Sequence, residues 1–164
     1  MTVLVLGVLL WSAAHLFKRI APGQRAMMHN DRARPMVSGL LVLSLVLMVI
    51  GYRAADGAFF WGRSPALVGI SNLFTLVAVS FFAAAGMKTA LARRLRHRML
   101  LGVVLWAVGH LIVNGDVPSF VLFGGMALWA LIEIALINRA EPRWTAPKGK
   151  GAKMEVMAIV GTVI

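Results

Sequence analysis

Two histidines of this 164-residue chain lie inside apolar runs, His15 in Trp11-Ser12-Ala13-Ala14-His15 and His110 in Trp106-Ala107-Val108-Gly109-His110. A neutral imidazole keeps one ring nitrogen free to bind a metal. An ionisable group within an apolar segment is a functional candidate by default. In both runs a Trp stands four positions before the His, and a small residue directly precedes it. On a helix that spacing puts indole and imidazole on one face, while Ala14 or Gly109 leaves room for a neighbouring helix or a flat ligand. The competing reading is that each imidazole hydrogen-bonds a neighbour and serves only helix association. The chain has no cysteine, which removes disulfides, thiolate metal sites, iron–sulfur clusters and cysteine nucleophiles.

Other polar positions carry weaker signals. His97 lies in Arg94-Leu95-Arg96-His97-Arg98, where contact with lipid headgroups is the plainer role, and His29 lies in a basic connection beside Asn30 and Asp31. Glu133 is the one acidic residue well inside an apolar run. It either snorkels toward the nearby basic end or hydrogen-bonds inward; a carboxylate receiving the second N–H of a ligating imidazole fits metal-site chemistry, with His15 the nearer partner. Asn114-Gly115-Asp116 with Pro118 reads as a tight hairpin, with Gly115 left-handed and Asp116 capping the next helix. A polar site on that face is its alternative.

The elements that must position these residues follow from composition. Apolar residues make up 60% of the chain and charged ones only 14%, with a mean hydropathy of +0.82, beyond what a soluble domain carries. Five apolar segments, Met1–Phe17, Met36–Tyr52, Ser64–Met87, Met99–Gly115 and Val117–Asn138, each run about 17–24 residues, enough to cross a hydrocarbon core as helices. Alternating apolar and polar positions, the mark of a β-barrel, are absent. The expectation is an all-α polytopic transmembrane bundle, with residues 1–138 as the membrane domain, 139–153 as a basic linker, and 154–164 as the start of a sixth span.

The formal net charge of +11 has a topological explanation. The first, third and fifth connections hold five basic residues each, whereas the second holds only Arg53 and Arg63 and the fourth none. By the positive-inside rule the rich connections are cytoplasmic and the N-terminus is outside. Basic residues split among three short loops facing anionic headgroups speak for membrane lipid and against nucleic acid as the partner.

The chain resembles the NnrU family of bacterial membrane proteins, whose relatives include the plant and cyanobacterial 15-cis-zeta-carotene isomerase. The resemblance rests on Ala14-His15, on Arg96-His97, on the block from Leu100 to Asp116 that contains Trp106-Ala107-Val108-Gly109-His110, and on Ser119 and Leu122-Phe123-Gly124. It implies heme b with His15 and His110 as axial ligands; Trp11, Trp106, Gly109, Asn114, Asp116 and Glu133, read from their positions, are the supporting candidates. It also implies a bacterial inner-membrane location and a part in nitrite and nitric oxide metabolism, that is, denitrification. Relatives usually carry Pro after the histidine that opens the fourth span; here that position is Arg98. Straight helices put His15 and His110 at different depths, a gap that tilt narrows.

Three functional classes remain open. One is a heme protein responding to nitric oxide, and another a heme-dependent cis–trans isomerase of a lipid-soluble polyene, with a groove lined by residues such as Trp106 and Phe123. The third is a non-catalytic assembly protein whose histidines only pack helices.

Overall fold

A computed structural model describes residues 1–27 and 30–163; His29 lies outside the described residues. The chain is mostly helical: α1 (Thr2–Ile20), α2 (Pro22–Met27), α3 (Asn30–Arg53), α4 (Pro65–Met87), α5 (Ala90–Arg94), α6 (Arg98–Val113), the single turn α7 (Val117–Ser119), a π-helical segment Phe120–Gly124 running into α8 (Gly125–Ala140), and α9 (Ala152–Val163). Two short strands, β1 (Phe59–Trp61) and β2 (Gly115–Asp116), pair antiparallel.

Four helical stretches are long and apolar enough to cross a membrane: Thr2–Ile20, Arg34–Arg53, Pro65–Met87 and Val117–Ala140. The expected fourth span is shorter, a 16-residue helix from Arg98 to Val113, about 24 Å at helical rise. Its early end has a local cause. The backbone N–H and the side-chain amide of Asn114 both donate to the His110 carbonyl at 2.9 Å, and Gly115 then leaves the helix for β2.

That pairing corrects the expected left-handed turn at Gly115. Among the described residues, Gly151 is the only glycine with positive φ. Gly115 is required instead because a Cβ there would enter the Trp61 indole. Asp116 does cap the following helix, its Oδ1 accepting from Ser119 N–H at 2.7 Å. Pro35 lies inside α3.

Helix α1 packs on α3 and α8, α8 on α6, α6 on α4, and α4 on α9. Leu4, Val8, Leu16, Met48, Met126, Trp129 and Ala130 form the buried centre, with Trp11 and Trp106 packed against it. Large apolar side chains also cover the outside: Leu9, Leu73 and Leu128 are each 59% exposed. A surface of that kind needs lipid around it. The chain is a multi-pass membrane protein. Lipid tails are as apolar as leucine, so helix association rests on close packing and interhelical polar contacts. One such contact joins Tyr52 Oη to Ser119 Oγ at 2.8 Å.

Residues 141–151, within the expected linker, are non-helical. Beyond them α9 docks on α4, and Glu155 accepts from Ala90 N–H at 2.6 Å.

Candidate functional site

Each Trp-x-x-x-His unit folds the same way. In α1, His15 Nδ1–H donates to the Trp11 carbonyl at 3.0 Å; in α6, His110 Nδ1–H donates to the Trp106 carbonyl at 2.9 Å. A carbonyl only accepts, so the neutral ring carries its proton on Nδ1 and leaves the lone pair on Nε2. The four-residue spacing also stacks the rings, with centroids 4.4 Å apart for Trp11–His15 and 4.8 Å for Trp106–His110.

A second ring closes each nest, and both come from one span. Trp129 of α8 lies 4.6 Å from His15 and 5.5 Å from Trp11. Phe123 of the π segment lies 4.5 Å from His110, nearly parallel at 27°, and 5.1 Å from Trp106. The two imidazoles therefore rest against rings six positions apart, about 9 Å along the span axis. Spacing within one helix revealed Trp11 and Trp106. It could not reveal Trp129, whose contact depends on which helices become neighbours.

Polar surroundings distinguish the nests. Next to the His15 nest, Arg19 Nε lies 3.5 Å from Glu133 Oε1, with side-chain exposures of 20% and 12%. Arg19 Nη1 also donates to Glu141 Oε1 at 2.8 Å, and Arg96 Nη2 donates to the Glu141 carbonyl at 2.6 Å. Glu133 thus pairs with Arg19, and the second N–H of His15 goes to Trp11 rather than to this carboxylate. Arg19 escaped the sequence reading because nothing in the chain order links it to Glu133. The Glu141 carboxyl, held by the Arg19 hydrogen bond and charge, is lowered below its ordinary value.

Among the described residues, three buried atoms in this region have no partner: Trp11 Nε1, Trp129 Nε1 and Glu133 Oε2. Unsatisfied groups of this kind cost about 1–3 kcal/mol each, and a polar guest beside His15 would relieve the indoles.

The remaining candidates make packing and capping contacts. Gly109 faces α4, where a Cβ would come within 3.0 Å of Phe74 Cβ, so its smallness admits a helix rather than a flat ligand. Asn114 closes α6 below His110, and Asp116 caps α7. His97 Nε2–H donates to Asn138 Oδ1 at 2.7 Å, tying the start of α6 to the end of α8. Among the described residues no group of three or more His, Asp or Glu could hold a bare metal ion.

Two cavities adjoin the nests. A cleft of ≈ 400 Å³ between α1 and α3 is lined by His15, Lys18, Arg34 and Ser38. An apolar groove, also ≈ 400 Å³, is lined by Leu45, Met48, Tyr52, Trp106, Leu122 and Met126.

This arrangement spans helices from one end of the chain to the other, and so does the sequence match. A family model described as NnrU protein matches residues 3–164. The chain belongs to the NnrU protein family. No curated protein and no solved structure matches it. Membership in the NnrU family thus covers both nests, the β1–β2 closure and α9 within a single match.

Proposed function

We propose that this NnrU-family protein binds heme b, with His15 and His110 as the candidate iron ligands, and acts in nitrite and nitric oxide metabolism. The observation that carries the heme reading is the shared hydrogen-bond pattern. Both imidazoles give Nδ1–H to a backbone carbonyl, leaving Nε2 as the available donor, the arrangement that orients ligating histidines. The donor set would suit heme: His15 and His110 would hold its iron through Nε2 amid aromatic rings, and among the described residues no cluster suits a bare ion. When bound, heme supplies an iron that exchanges electrons or takes a diatomic ligand.

The protein's own contributions are distinct. The Trp11 and Trp106 carbonyls hold the imidazoles in the donor tautomer, and Trp129 and Phe123 restrict their rotation. The Trp11 and Trp129 indole N–H groups offer two hydrogen bonds beside His15. The nitrogen-oxide role rests on the family resemblance. So does the placement in a bacterial inner membrane, which the basic connections orient with the N-terminus outside.

The α3–α6–α8 groove favours a second reading, a heme-dependent cis–trans isomerase of a lipid-soluble polyene. Its wall includes Trp106, which lies directly against His110.

Absorption spectra of heme-replete purified protein, oxidised and reduced, test the proposal. A Soret band is expected. Its absence would remove both heme readings and leave an assembly protein whose imidazoles pack helices. Nitric oxide binding to the reduced protein, against product analysis with a cis-polyene, then separates the two heme readings.

A further inference from the structure

The α1–α3 cleft brings together cationic and polar side chains from two membrane helices. Lys18 comes from the last turn of α1, while Arg34 and Ser38 come from α3 where its apolar stretch begins. Phe17 and Val37 add apolar wall, and His15 also lines the space. Among the described residues no carboxylate lines it. Glu141, whose charge reaches Lys18, is already bonded to Arg19 at 2.8 Å.

We propose that this cleft binds the headgroup phosphate of an anionic phospholipid. Three features select a lipid over a soluble anion. The cleft sits where two candidate spans, Thr2–Ile20 and Arg34–Arg53, reach the basic end of the bundle. Its cations lie beside apolar side chains along which acyl chains can run. Basic recesses between transmembrane helices on the positively charged side are a known physical basis for holding anionic headgroups. Lys18 and Arg34 neutralise the phosphate from opposite walls, and the Ser38 hydroxyl donates one hydrogen bond. The headgroup then lies beside His15 and controls what else reaches the imidazole from that side.

Native mass spectrometry of the full-length purified protein, given equal phosphatidylglycerol and phosphatidylcholine, tests this. The wild-type protein should retain phosphatidylglycerol with a preference of about tenfold or more, the scale expected from two basic residues near an anionic headgroup. The double variant Lys18→Gln/Arg34→Gln should lose that preference, while Arg94→Gln/Arg143→Gln, which removes the same charge elsewhere, should keep it. Ser38→Phe, which fills the cleft without changing charge, should also lose it. Equal loss in both double variants would reduce the effect to net charge and overturn the site, as would an unchanged preference in Lys18→Gln/Arg34→Gln. If inorganic phosphate displaces the retained lipid, the cleft is a soluble-anion site and the lipid assignment fails.

Discussion

The two Trp-x-x-x-His nests share their local construction and differ in what surrounds them. The His15 nest adjoins Arg19, Glu133 and a cleft with two further cations, and both of its indole N–H groups lack acceptors among the described residues. The His110 nest is closed by Phe123 on a π segment and borders an apolar groove. One motif has thus been set in a polar frame at the basic end and an apolar frame nearer the other end. Hydrogen bonds prepare the donor atom; the tertiary neighbours decide what that donor can meet.

The largest expected effect tests whether the nests are equivalent. Under the heme proposal, His15→Ala should abolish the Soret band, because it removes the donor that faces open space and unpaired N–H groups. His110→Ala should keep a band but shift it. Equal loss in both would make the nests interchangeable, and retention of an unaltered spectrum in both would end the ligand assignment.

A smaller effect concerns the polar frame itself. Arg19→Gln leaves Glu133 largely buried and without its partner, which should lower stability by about 1–3 kcal/mol, less than breaking a fully buried pair because both groups keep some exposure. Glu133→Gln should cost less, because the neutral amide needs no counter-ion. Thermal unfolding in detergent measures both. If Glu133→Gln proves the more damaging, the carboxylate has a further role near His15 that the ion pair does not supply.

The sequence made the one-helix relations legible and the cross-helix ones only coarsely. Trp11 with His15 and Trp106 with His110 were readable because a four-residue spacing fixes a shared helical face whatever the tertiary fold. Asp116 was readable as a cap for the same local reason. The short α6 was not, because Asn114 and Gly115 look like the end of an apolar run until β1 supplies strand partners more than fifty residues earlier in the chain. Glu133 was seen as costly in lipid, but its partner Arg19 comes from the opposite end of the membrane domain. Gly109 reads as room for a neighbouring helix or a flat ligand, and only the packing of α4 shows that a helix takes that room.

The finest difference between the nests is their response to acid. Glu141 links Arg19 to Arg96 just beyond α8, and its carboxyl is lowered because the Arg19 hydrogen bond and charge favour the ionised form. A carboxyl with a lower value in the folded state than in the unfolded one stabilises the fold fully above its unfolded value. That contribution disappears as pH falls through the folded value. The unfolding midpoint should therefore fall slightly more steeply on acidification in the wild-type protein than in Glu141→Gln, with the two differing at neutral pH and converging in acid. The effect is small because Glu141 is exposed and solvent screens the pair. It acts through Arg19, one helical turn from His15, so acid should weaken whatever His15 holds before it affects the environment of His110. If acid perturbs both nests in parallel, and equally so in Glu141→Gln, the Arg19–Glu141 contact does not distinguish them.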